Sequence, residues 1–291
     1  MSFFNYDIIT NYVLFSGDCL TFKGMYNNVA SNYKTADQFG SVSKSHEVAV
    51  EQIHRCISDP RPHFKILDLG VGNGLFLSKL KEYLPLAEYT GIDISARMLK
   101  EAQQNIELTA IETSATEATH HLPLHSQDLV LAHFINAYIP INDLFNQARL
   151  LTRANGYYSL ITTTYQSFPQ AQRMLAEFIS QNSLLSRVVG HYYKNMVRNA
   201  TVASGQEELL RVFKEYDFNV IKHERLHIPI ILNNVDELIT FGIEGTWFLN
   251  SLSIRMLPKN FLLERLKRVF DRIFTFPYED THIIDVVLAQ K

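Results

Sequence analysis

Three glycines fall within five positions of the stretch "LDLGVGNG", Leu67 to Gly74, directly behind an acid, Asp68. Glycine admits positive φ and lets a ligand lie against bare backbone. A helix starting there offers unpaired N–H groups. The apolar run "FKILDL" ahead of the glycines reads as a strand buried on both faces. Behind them, "LFLSKLKEYL" places Leu75, Leu77, Leu80 and Leu84 near helical spacing. Strand, glycine turn and helix describe a nucleotide-type cofactor site at the carboxyl edge of a parallel sheet. A dinucleotide fingerprint would need a third glycine where Leu75 stands, and a phosphate loop would need Gly-Lys-Ser/Thr. The next strand-like stretch, "YTGIDIS", ends in Asp93, 19 residues after Gly74 (93 − 74). An acid at a strand tip can accept from both hydroxyls of a ribose.

Other residue types bear chemistry less specifically. His133 in "AHFINAYI" sits where a further strand should end and is the candidate general base, with a packing role as its alternative. Tyr138 and Tyr165 are weaker candidates. "HYYKNMVR" gathers His191, Tyr192, Tyr193, Lys194 and Arg198. Arg198 there can clamp a carboxylate in bidentate fashion, and the alternative is a solvated helix face. "HHLPLH" holds His120, His121 and His125 without the carboxylates or cysteines that would make a metal site, so a surface loop and no metal are expected.

In this order the motifs resemble the class I S-adenosylmethionine-dependent methyltransferases. The matching residues are "LDLGVGNG", the acid of "GIDIS", "LPLHSQDLVLAHFINAYI" as a fourth strand, and "ARLLTRANGYYSLITTT" as helix, turn and fifth strand. The resemblance spans roughly residues 26–164 and, more loosely, the carboxyl end. It implies an α/β, Rossmann-like, seven-stranded mixed sheet with helices on both faces. "THIIDVVLAQK" is then the antiparallel last strand, next to strand five, with "NVIKHERLHIPIIL" outside it. The implied cofactor is S-adenosyl-L-methionine, held by Asp68, Gly70, Gly72, Asn73, Gly74, Asp93, Ile94, Met98 and Ala132. The family's usual aspartate after strand three is replaced here by "SATEATHHLPL", where Thr116 or Glu117 is the substitute and Ala115 and Thr116 are the implied adenine contacts. "YNNVASNYKTADQFG" is similar to the amino-terminal lid of the malonyl-carrier-protein and ubiquinone-biosynthesis group, with Tyr33-Lys34 where that group often has Tyr-Asp. There Tyr33 borders both cofactor and acceptor, and Tyr26 the acceptor.

The elements that must position these residues follow from pattern and composition. Lid helices are expected over 1–60, the cofactor-binding core over 61–164, and a cap insertion over 165–203. A core helix and strand follow over 204–232, a second cap insertion over 233–280 and the last strand over 281–291. Gly156 reads as the stop of the helix "NDLFNQARLLTRAN". Ser204 and Glu207 read as a capping box. Gly242 and Gly245 suggest a helix break beside Trp247, the single tryptophan. The insertions are rich in aromatics. They read as a cap over a small acceptor, lined by Tyr26, Tyr33, Tyr138, Tyr165, Tyr192, Arg198 and Trp247, or as a homodimer interface.

Composition narrows the partners. The 291 residues are 46% hydrophobic with a net charge of −3, so no basic field points to nucleic acid. No run approaches the ~20 apolar residues of a membrane span, and the amino terminus lacks a signal-peptide pattern. Cys19 and Cys56 make no CxxC, and a reducing, cytoplasmic setting is expected. The base N-methyltransferase signature after strand four and the Pro-Cys of cytosine enzymes are both missing. A small, partly apolar acceptor is therefore expected, with oxygen (hydroxyl or carboxylate) slightly favoured. The alternatives are a carrier-protein-bound acyl group, or a non-catalytic cofactor-binding or interaction protein.

Overall fold

The computed structural model describes residues 37–57, 63–198, 201–244 and 259–291; for residues 192, 195–198 and 259–263 it describes only the helices that contain them. These divide into two compact units. One unit comprises residues 40–167, 200–228 and 282–291, and the other the described residues of 37–39, 168–199 and 229–281.

The first unit opens with helix α1, Ser41–Cys56, whose buried face carries Ala49, Val50 and Ile53 at helical spacing. Strand β1 (Lys65–Leu69), α2 (Leu75–Lys81), β2 (Glu88–Asp93), α3 (Ala96–Asn105) and β3 (Thr109–Glu112) follow. A 3-10 helix, Ala115–His120, leads to β4 (Gln127–His133), and a shorter one, Ile135–Ala137, leads to α4 (Ile141–Leu151). Then come β5 (Thr152–Thr163), a helix over Gln206–Glu215, β6 (Asn219–Leu232) and β7 (Tyr278–Gln290). Among the described residues these strands make one seven-stranded sheet in the order β3-β2-β1-β4-β5-β7-β6. The first five are mutually parallel. β7 runs antiparallel to β5, with Leu160 opposite Val287 and Thr162 opposite Asp285. The expected Rossmann-like architecture is the one observed, with "THIIDVVLAQK" between strands five and six.

The order reverses between β1 and β4, so their carboxyl ends leave the crevice in which open α/β sheets bind ligands. One face of the sheet is sealed by an aromatic knot: Phe145 of α4 meets Tyr158 of β5 edge-on at 5.2 Å and Phe213 at 4.8 Å. Farther along the same face, Asp285 of β7 is fully buried and takes a bidentate bond from Arg225 (Nε 2.9 Å, Nη2 2.8 Å) and one from His223 (2.7 Å). That pairing pins the outer strand β6 to β7.

Three local expectations change. α4 stops at Leu151, five residues before Gly156, and β5 begins at once. Gly156 instead follows Asn155, at φ 61°, in a loop that puts four residues of β5 (Arg153 to Gly156) against one of β4 (Asp128). A Cβ at Gly156 would lie 2.7 Å from Thr152 Cγ2 and 3.0 Å from the Arg153 carbonyl, so the glycine serves close packing. The helix expected from the Ser204–Glu207 box has Gly205 at its N-cap, and Glu208, one residue further on, accepts from the Ser204 N–H at 2.6 Å. At Gly242 the chain does not break. Helix Val235–Ile239 widens into a π-turn over Thr240–Glu244, while Gly245 and Trp247 lie outside the described residues.

The second unit is mainly helical, with helices Pro169–Ser180, Leu184–Arg198 and Lys259–Ile273. Asp280 caps the first of these, accepting from the N–H groups of Gln170 (3.0 Å) and Ala171 (2.8 Å). Among the described residues no helix is long and apolar enough to cross a membrane.

Candidate active site

The glycine turn closes the end of β1 onto the end of β2. The N–H groups of Gly70 and Val71 both donate to the Ile92 carbonyl, at 2.8 and 2.9 Å. All three glycines have positive φ, at 90°, 54° and 74°, but they serve different ends. A Cβ on Gly70 would sit 2.5 Å from Ile135 Cδ1, and one on Gly74 3.0 Å from the Ala102 backbone. Those two permit close packing. A Cβ on Gly72 would meet nothing within 4 Å among the described residues. Gly72 is thus the bare backbone that faces open space. Asn73 precedes Gly74, the N-cap of α2, and its Oδ1 accepts from the Leu75 N–H at 3.3 Å.

Two carboxylates converge on the turn. Asp93 accepts from the N–H of Gly72 (3.0 Å) and from that of Ser95 (2.8 Å). Burial pushes its carboxyl up, against the pull of backbone N–H groups. Asp68 is 3% exposed, and its Oδ1 is buried without a hydrogen-bond partner among the described residues. Burial first, and then the charge of Asp93, push the Asp68 carboxyl up to about 8. An orphaned carboxylate oxygen and a neighbouring acid favour a cationic ligand and repel a pyrophosphate. The turn therefore fits a nucleoside carrying positive charge.

The family model described as a methyltransferase domain matches residues 66–156. Residues 66–156 thus form a methyltransferase domain. Its cofactor is S-adenosylmethionine, which when bound supplies an electrophilic methyl group on a sulfonium. Among solved structures, a candidate methyltransferase from Bacillus halodurans aligns with TM-score 0.52 at 12% identity, over 83% of this chain and 98% of its own. The YcgJ protein of Bacillus subtilis aligns with TM-score 0.52 at 11% identity, over 84% of this chain and 98% of its own. At such identities the likeness is one of fold. Among curated proteins no sequence matches.

Beside the turn of this methyltransferase domain, β4 ends in His133. Its ring packs edge-on against Phe76 of α2 at 4.2 Å and lies 5.9 Å from the ring of His46 on α1. His46 also packs on Phe76, at 5.0 Å, and near Phe134, at 6.4 Å. His133 Nε2 bonds to Ser159 Oγ at 3.0 Å, while Nδ1 is buried without a partner. Burial, then the charge of His46, hold the imidazole well below its usual range, so the ring is neutral at physiological pH. A neutral imidazole with an unpaired nitrogen can accept a proton, though weakly.

The structure brings Asp68, Gly70, Gly72, Asn73, Gly74, Asp93 and half-buried Ile94 together. Other candidates have buried or locally bonded side chains. Met98 and Ala132 are 1% and 0% exposed, and Ala115 is 3% exposed, so their side chains pack in the core. The Met98 N–H donates to Ser95 Oγ as the cap of α3. Thr116 bonds to Ser114 Oγ at 2.8 Å, in the turn after β3. Tyr138 and Tyr165 are half-buried just beyond β4 and β5. Tyr26, Tyr33 and Trp247, and the side chains of Tyr192 and Arg198, lie outside the described residues. Sequence reasoning missed His46, Phe76 and Ser159. His46 had a signal: it is half-buried and spaced three, four and seven residues before the buried Ala49, Val50 and Ile53.

Proposed function

We propose that this methyltransferase transfers the methyl group to a small, partly apolar acceptor, with oxygen as the favoured nucleophile. The observation that supports the acceptor class is the cluster at the end of β4. Two phenylalanines, Phe76 and Phe134, surround two imidazoles beside the glycine turn, and His133 carries an unpaired buried nitrogen. Such walls exclude water and suit an apolar body with a single polar atom.

The residues would divide the work. Asp93 holds the ribose and Gly72 admits the cofactor against bare backbone. Asp68 gives its orphaned oxygen to the cofactor's positive end. Phe76 and Phe134 align the acceptor and keep water out, which is most of what an in-line displacement requires. His133 orients the acceptor's hydroxyl or takes up its proton; a carboxylate acceptor would need no base. The insertions over 165–203 and 233–280 are proposed as the cap, Tyr26, Tyr33, Tyr138, Tyr165, Tyr192, Arg198 and Trp247 as acceptor contacts, and the cytoplasm as the site of action. A methyl-release assay across panels of hydroxyl, carboxylate and amine metabolites tests the proposal. Turnover of a small hydroxyl or carboxylate compound supports it. Turnover confined to amines or to a carrier-protein substrate would overturn it.

A further inference from the structure

The side-chain amide of Gln147 makes two bonds to one short turn. Its Oε1 accepts from the Thr119 N–H at 3.0 Å, and its Nε2 donates to the Thr116 carbonyl at 2.7 Å. Gln147 stands on α4 and is 7% exposed. Thr116 and Thr119 are three residues apart, the spacing at which a 3-10 helix pairs a carbonyl with an N–H. The amide therefore clips both ends of one turn of the helix Ala115–His120. Ala115 and Ala118 are small and buried, which lets that helix lie close against α4.

The clipped turn is joined to the cofactor site. The Thr113 N–H donates to the Asp93 carbonyl at 3.2 Å, so the turn hangs from the residue proposed to hold the ribose. In a nucleoside the base is one bond from the ribose. With its positive end at Asp68 on β1 and its ribose at Asp93 on β2, an extended cofactor runs on toward the next strand end, that of β3, which residues 113–116 follow. Nothing in the spacing of the glycine turn marks Gln147, which is distant in sequence and buried on a helix.

We infer that Gln147 is a positioning residue for the cofactor's base: its amide fixes the turn 113–119 in the conformation that reads adenine. The inference rests on the proposed placing of S-adenosylmethionine's ribose on Asp93. Gln147→Glu keeps the shape and the acceptor for Thr119 but replaces the donor to the Thr116 carbonyl with a repelling oxygen. Gln147→Met removes both bonds at similar volume.

The test is calorimetric titration of wild type and both variants with S-adenosylhomocysteine and with S-inosylhomocysteine, whose 6-oxo group replaces the 6-amino group. Wild type should prefer the adenine ligand. Each variant should bind that ligand about tenfold more weakly, the equivalent of one lost hydrogen bond, while its affinity for the inosine ligand changes far less. The ratio of the two dissociation constants should thus collapse toward one. A merely structural role would weaken both ligands alike, and an unchanged ratio in a folded variant overturns the inference. If a variant does not fold, amide exchange in wild type decides. Amides 116–119 should slow when S-adenosylhomocysteine is bound, and unchanged exchange counts against the clip. Failure of wild type to bind S-adenosylhomocysteine at all would instead overturn the cofactor placement from which the inference starts.

Discussion

Replacing Asp68 by asparagine should stabilise the protein while crippling cofactor binding. The carboxyl group is raised from an ordinary 3.8 to about 8 by burial and by Asp93. Between those values the folded state holds one more proton than the unfolded chain, so stability falls as pH rises, by at most ~1.4 kcal/mol per pH unit. Integrated to neutral pH, the ionisable group costs about 4 kcal/mol relative to one that never ionises. Asparagine removes that cost but brings a buried amide with donors to satisfy, so the net gain should be on the order of 2–3 kcal/mol. For a chain of this size that corresponds to roughly 4–10 °C in melting temperature. The assay is thermal unfolding of both proteins without cofactor, at about pH 6 and about pH 8, where linkage makes the gap widen with pH. Titration with S-adenosylhomocysteine should show binding weakened by more than about tenfold. A variant that melts lower at the higher pH, or a gap that does not grow with pH, would refute the idea of a buried carboxyl kept for a cationic ligand.

Gly72→Ala should change melting temperature little, by about 1 kcal/mol for its positive φ, yet weaken S-adenosylhomocysteine binding, whereas Gly70→Ala should lose about 1–3 kcal/mol of stability because its Cβ meets Ile135. Denaturant melts paired with calorimetry distinguish the two, and identical behaviour would contradict their assignment as ligand-facing and packing glycines. Tyr158→Phe removes a fully buried hydroxyl that has no partner and should be neutral or stabilising by up to about 1 kcal/mol in urea unfolding. Arg225→Met leaves Asp285 buried with only His223 and should cost about 3–5 kcal/mol. Burial pushes the Asp285 carboxyl up, but the His223 and Arg225 bonds outweigh it and hold it below the usual range. Its stabilising contribution is thus present above an ordinary carboxyl pKa and is lost as pH falls through the lowered folded value, and an acid titration of unfolding should show this loss in wild type and not in the variant.

The sheet was legible because both periodicity and order speak for it. β1 and β4 are short apolar runs bounded by turn residues, and Asp68, the three glycines and Asp93 sit where a strand-turn-helix must place them. Boundaries governed by tertiary packing were harder to read. Gly156 looked like a helix stop, yet α4 ends earlier because the chain enters β5 at Thr152 and then loops out past β4. The box at Ser204 slipped by one residue because Gly205, not Ser204, holds the N-cap. In the candidate site, chain-local motifs marked Asp93 and the glycine turn, which the structure brings together. They could not find His46, Phe76 or Gln147, which come from three different helices and acquire a role only when the fold brings them to the ends of β3 and β4. Met98 and Ala132 show the converse: near the motif in sequence, they point into the core.

The most direct test of the central claim is a calorimetric titration of the folded protein with S-adenosylhomocysteine, with NADH as the competing ligand and Asp93→Ala as the control. One site should bind S-adenosylhomocysteine in about the micromolar range, NADH should neither bind nor displace it, and Asp93→Ala should weaken it by about 1–3 kcal/mol through the lost ribose bonds. Binding of NADH in preference, or affinity for S-adenosylhomocysteine untouched by Asp93→Ala, would contradict the account.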